Sequence, residues 1–104
     1  LVPFPFSDRS GEKKRPALVI SSDKFNANSQ DIVVLAMTSY QDSEKYSVHI
    51  KPQDWKNGIY SDSYVKCWAI LAIDREMVVK RIGRLGSERF SEAMKKMNEI
   101  IGIE

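Results

Sequence analysis

The hydrophobic period of the chain changes once, near residue 87. Before that point apolar residues come in short runs or alternate; after it Phe90, Ala93, Met94, Met97 and Ile101 recur at helical spacing. Such a pattern folds into several short strands closed by one C-terminal helix, a mainly β (α+β) chain in a small, partly open barrel. Residues 1–6 read as the end of a strand, with Pro3 and Pro5 marking an edge or bulge. Residues 7–14 are polar, contain Gly11 and read as an exposed loop. The runs 16–21 and 32–37 are continuously apolar, which predicts strands buried on both faces, with 22–31 as their polar connection. Residues 46–50 alternate, 51–61 hold Pro52, Asn57 and Gly58 as a loop, and 64–73 are a long strand rich in β-branched and aromatic residues. A tight turn at 74–76 and a further short strand over 78–85 complete the β part. The helix is predicted over 88–101, with Ser87 as N-cap, Glu88 in the first turn and Gly102 as the stop.

The 104 residues fit one domain spanning 1–104. Because the first residue is Leu1 and Val2 reads as strand, a few N-terminal residues are expected to precede it. An apolar share of 42% with 29% charged residues excludes a disordered chain. No run approaches the length of a membrane span. The net charge of +2 is too small for nucleic-acid binding through bulk charge alone, so any such partner depends on where the charges sit. The single cysteine, Cys67, rules out an internal disulfide and suits the reducing cytoplasm.

Strands 16–21 and 32–37 are joined by about ten residues, so an antiparallel pair is expected. If residue 21 faces 32, paired numbers sum to 53 and Arg15 falls opposite Thr38. One mouth of the pair then gathers Arg15, Thr38 and Ser39, with Lys13 and Lys14 nearby. Pro16 restricts the backbone of Arg15 to extended geometry and fixes the next φ, which gives the guanidinium a stiff base. A guanidinium presents a flat fork that meets two phosphate oxygens, and a threonine hydroxyl adds a donor. Together they suit the charge that builds on phosphorus when an RNA 2′-hydroxyl attacks the adjacent phosphate. The plain alternative is a solvated arginine before a strand and a threonine in a turn. A guanidinium is a poor general base, so Arg15 reads as a phosphate clamp and proton donor. His49 is the only histidine and, on an alternating strand, reads as an exposed or capped side chain. One His and one Cys with no carboxylate cluster supply no catalytic metal site, and no phosphate-loop motif is present. Trp55, Trp68, Tyr60 and Tyr64 read mostly as core or interface, whereas Phe6, next to the basic loop, is the best base-stacking candidate. Glu88, Arg89, Glu92, Lys95, Lys96 and Glu99 mix signs and read as a solvated helix face.

The stretches LVPFPFSD (1–8), KKRPALVIS (13–21), VVLAMTS (33–39), SYVKCWAILAID (63–74) and IGRL (82–85) stand in an order that resembles the MazF/PemK toxins. The resemblance implies an SH3-like β-barrel of five to seven strands with a C-terminal α-helix, paired as a homodimer. It implies a sequence-selective, metal-independent endoribonuclease with no cofactor, cutting single-stranded mRNA to a 2′,3′-cyclic phosphate and a free 5′-hydroxyl. It also implies a cognate antitoxin whose flexible tail covers the RNA groove. The family's catalytic arginine, before proline, maps onto Arg15, and its catalytic threonine, after the apolar strand, onto Thr38; Lys13, Lys14, Ser39 and Phe6 then fall beside the RNA. Trp68-Ala69 stand where some members carry Glu-Gln, which changes base preference rather than reaction type. The competing expectation is a non-catalytic toxin or binding module of the same fold, such as one that poisons DNA gyrase.

Overall fold

The computed structural model describes residues 2–3, 14–41, 44–55, 62–79, 81 and 83–102. The apolar runs form four antiparallel strands, β3 (Ala17–Val19), β4 (Asp31–Thr38), β5 (Ser47–Ile50) and β6 (Ser63–Asp74), in the spatial order β3-β4-β6-β5. Ahead of them β1 (Val2–Pro3) and β2 (Lys14–Arg15) form a two-stranded antiparallel ladder. The fold is therefore mainly β, closed by the C-terminal helix α2 (Ser87–Ile101).

Side-chain alternation gives the sheet two apolar faces. One face carries Leu18, Leu35, Met37, Val48, Ile50, Val65 and Cys67, and α2 covers it with Phe90, Ala93, Met94, Met97 and Ile100. The other carries Ile32, Val34 and Ile73, with Ala17, Ala36, Leu71, Met77 and Val78 against them. The long strand β6 joins both faces through an irregularity. Leu35 pairs with Ile70 but Met37 pairs with Val65, so four residues of β6 stand opposite Ala36. The excess of three residues is odd, so the alternation inverts: odd positions 65 and 67 face the helix, while odd positions 71 and 73 face away.

Several expectations are corrected. β3 is not buried on both faces; it is the outer strand of its sheet, and Val19 is exposed. The connection over 22–31 contains a short helix, α1 (Asp23–Asn28). Its N-cap Ser22 accepts the Phe25 N–H at 3.1 Å, and Asp23 sits in the first turn. No strand forms over the described part of 78–85; only Leu85 makes a bridge, to Trp55. The apolar residues there cover the sheet instead of pairing, with Val78 against one face and Leu85 against the other. The expected turn at 74–76 is a 3-10 turn over Arg75–Met77. Helix α2 begins one residue early, so Gly86 is the N-cap and Ser87 lies inside the helix. Its last core residue is Ile100, and Ile101 is exposed, because a step of three from Met97 holds the apolar stripe better than a step of four here. The helix charges are not all solvated, since Lys96 Nζ donates to the Ser47 carbonyl at 2.8 Å and ties α2 to β5. Gly102 ends the helix at φ 82, the left-handed geometry that glycine adopts without strain.

Candidate active site

The β3–β4 pairing places Ala17 opposite Ala36, Leu18 opposite Leu35 and Val19 opposite Val34, so every pair sums to 53. The Met37 N–H donates to the Pro16 carbonyl at 3.3 Å, and the Ile20 N–H donates to the Val33 carbonyl at 2.9 Å. These bonds fix 16/37 and 20/33 as hydrogen-bonded pairs. Carried one step beyond the ladder, the same register sets Arg15 opposite Thr38, at a position where no ladder hydrogen bond is exchanged, and β2 does lie against β4 there. They share the face of Ala17, Val34 and Ala36, away from α2.

Arg15 is held on two sides. Its backbone pairs with Val2 through the β1–β2 ladder, and β2 also lies against β4. The Arg15 side chain is half-buried, and its Nε is shielded from solvent with no hydrogen-bond partner among the described residues. Thr38 is half-buried at the end of β4, and its Oγ1 accepts the Tyr40 N–H at 3.4 Å. That contact uses an oxygen lone pair and leaves the hydroxyl proton available. Ser39 follows, exposed, in the bend after β4. Lys14 is placed by its backbone, opposite Pro3. Phe6, Lys13 and Tyr60 lie outside the described residues.

The row continues across the sheet. Thr38 pairs with Tyr64 on β6, and Tyr64 pairs with His49 on β5. Residues paired in register share a face, so Arg15, Thr38, Tyr64 and His49 form one line over consecutive strands. The His49 and Tyr64 rings are stacked, with centroids 4.7 Å apart and an interplanar angle of 19°. Asp62 Oδ1 stands 3.4 Å from His49 Nε2, outside hydrogen-bond geometry. His49 is thus half-buried and ring-stacked rather than exposed or capped. The sole sequence signal for this was the parity of His49 on its strand. Of the other aromatics, Trp55 packs on the core and Trp68 is exposed.

Burial pushes the Cys67 thiol up to about 11; Lys96 opposes the shift and Glu92 adds to it, so the buried thiol is not a nucleophile at neutral pH. Among the described residues no group of three or more His, Cys, Asp or Glu is placed to hold a metal ion, and no helix is long and apolar enough to cross a membrane.

Residues 1–101 match the family model described as PemK-like, MazF-like toxin of type II toxin–antitoxin system. Among solved structures, the chain is similar to Mycobacterium tuberculosis toxin MazF-mt6, at 17% identity and TM-score 0.74, over 86% of this chain and 88% of that one. It is similar to an endoribonuclease in complex with its cognate antitoxin from a mycobacterial species, at 16% identity and TM-score 0.76, over 90% and 86% of the two chains. It is similar as well to the MazE–MazF assembly from Deinococcus radiodurans (Form-III), at 18% identity and TM-score 0.74, over 88% of each chain. At these identities the structural likeness concerns the fold.

Proposed function

The chain belongs to the PemK-like, MazF-like toxins of type II toxin–antitoxin systems, and we propose that it is a sequence-selective endoribonuclease that cuts single-stranded mRNA without a metal ion. The observation that carries this reading is the β3–β4 register, which carried one step outward sets Arg15 opposite Thr38 on the face away from α2, with the Arg15 Nε unpartnered among the described residues. The 2′-oxygen of one nucleotide attacks its own 3′-phosphorus and the bond to the 5′-oxygen breaks. The products are a 2′,3′-cyclic phosphate and a 5′-hydroxyl, and one proton passes overall from the 2′-oxygen to the leaving oxygen. The guanidinium fork clamps two non-bridging oxygens and the Thr38 hydroxyl donates to the charge that builds there. A guanidinium is too weak a base to take the 2′-proton at neutral pH, so water takes it; Arg15 supplies charge, lends a proton to the departing 5′-oxygen and regains one from water, ending the turnover protonated.

The protein works in the cytoplasm, where mRNA is found, as a homodimer of SH3-like barrels. It is silenced by a cognate antitoxin that occupies the RNA face, a reading supported by the antitoxin-bound structures that share this fold. Incubation with long single-stranded RNA in EDTA, followed by mapping of the ends, tests the activity. Wild-type protein is expected to leave cyclic phosphates at a recurring sequence, and Arg15→Ala to leave the RNA intact. Uncut RNA with the wild type, or equal cutting by Arg15→Ala, overturns the proposal.

A further inference from the structure

Tyr64 and His49 stand in the same row as Arg15 and Thr38 but take no part in the reaction described above. We propose that His49, Tyr64 and Asp62 form a nucleobase site that holds one unpaired base of the RNA beside the cleaved phosphodiester, and that guanine is its preferred occupant. This rests on the reading of this sheet face as the RNA-cutting face.

Placement is the first argument. Three inter-strand spacings of about 4.8 Å separate Arg15 from His49 along the row, about 14 Å in all. Tyr64 stands between His49 and the Arg15–Thr38 pair. The imidazole is therefore too far along the sheet to share the oxygens of one phosphate with Arg15, but well placed for a neighbouring nucleotide of the same strand.

The rings supply the second argument. Their stacking prearranges a flat platform on two different strands. β5 is the outermost strand of its sheet, so no described strand covers the far face of the imidazole, and the His49 side chain is 37% exposed. Unpaired bases bind proteins by stacking on such surfaces.

The third argument is polar. Asp62 is 60% exposed, its carboxylate only accepts hydrogen bonds, and its Oδ1 lies 3.4 Å from the shielded His49 Nε2 without a hydrogen bond between them. The carboxylate therefore keeps its accepting capacity for a ligand. Two carboxylate oxygens match a base edge with two adjacent donors. Guanine offers that pair, N1–H and the N2 amine; adenine and cytosine set an amine beside an acceptor, and uracil sets its N–H between two acceptors.

The test uses the whole chain in two arms. In the first, cut sites in a randomised single-stranded RNA pool are mapped, and kcat/KM is measured on paired oligomers carrying guanine or adenine at the enriched position. In the second, binding is measured to 2′-O-methylated oligomers, which lack the attacking hydroxyl. Wild-type protein should show guanine at one fixed offset from the cut and favour it over adenine on the order of tenfold. Asp62→Asn and His49→Ala should bring that ratio toward one. A merely structural role would lower both rates together and leave the ratio standing, which overturns the proposal, as does indifference of the wild type to guanine. Tyr64→Phe keeps the stack and should keep the preference; its loss there also counts against the site. If the wild type cuts nothing, the endoribonuclease reading fails, and the binding arm alone decides the base site: equal affinity for guanine and adenine oligomers overturns it.

Discussion

Deleting one residue from β6 should harm the fold more than deleting two. Between Val65 and Ile70 the strand carries three residues more than β4 needs, and this odd excess inverts the side-chain alternation. Val65 and Cys67 are fully buried toward the helix on one side of the irregularity, while Leu71 and Ile73 pack on the opposite face beyond it. Removing Ala69 alone leaves an even excess. The strand then keeps one face only, and either Val65 and Cys67 or Leu71 and Ile73 must turn outward. Exposing two such side chains costs about 3–5 kcal/mol, before any cost of turning Tyr64 or Lys66 inward. A domain of this size has about 5–15 kcal/mol in total. Removing Trp68 and Ala69 together leaves an excess of one, an ordinary bulge that still inverts the alternation. Trp68 is 39% exposed, so its loss costs about 1–2 kcal/mol. Urea denaturation of the two deletion variants, with comparable slopes, reads the difference directly. A single deletion as stable as the double one would refute the parity argument.

Thr38→Val should slow single-turnover RNA cleavage by about 10²–10³, the usual loss for one preorganised donor, with Thr38→Ser recovering most of it. The hydrogen bond that Thr38 Oγ1 accepts from the Tyr40 N–H is long at 3.4 Å, so thermal melting should show a loss under about 1 kcal/mol; cleavage within a few-fold of wild type would remove Thr38 from the mechanism. Burial raises the Cys67 thiol from 9.0 to about 11, so its contribution is fully present below about pH 9 and lost as pH rises toward about 11. Denaturation midpoints across that window should fall more steeply for wild type than for Cys67→Ala, and parallel curves would contradict the burial. The Asp74 carboxyl is held below its ordinary 3.8 by the Glu76 N–H and the Gln30 amide, each at 2.9 Å, with a smaller pull from Arg75. Its contribution is present above that ordinary value and lost as pH falls through the depressed one. The stability gap between wild type and Asp74→Ala should therefore be constant near neutrality and close in acid; a gap that persists in acid would place the effect elsewhere.

The strand pair under the site was legible because its apolar runs are continuous and the segment between them is polar. The register that sets 21 against 32 matches the observed partners Ala17 with Ala36 and Val19 with Val34. The helix was legible from its period, with an error of one turn position at Ile100. Helix α1 was hidden because its six residues present no buried side chain, so there is no apolar stripe to read, only the cap at Ser22. The segment over 78–85 misled because apolar residues that cap a sheet and apolar residues that pair within one have the same composition. The His49–Tyr64 stack was out of reach for a different reason. It depends on the β5–β6 register and on the inversion within β6, and both are set by contacts distant in sequence.

Arg15 sits where the chain changes partner, and that position explains its stiffness better than Pro16 alone. On one side Lys14 and Arg15 pair with Pro3 and Val2; on the other, Ala17 begins the ladder with β4. Pro16 lies between the two ladders. Having no N–H, it accepts from Met37 but cannot return a bond, so its pair has one hydrogen bond where an ordinary pair has two. The loss of that donor suits the junction, because the backbone there must leave one ladder and enter another. The ring's fixed φ supplies the rigidity that the missing bond would have given. A guanidinium on such a backbone has little freedom to surrender on meeting a phosphate, which is the condition that positioned electrostatic catalysis requires.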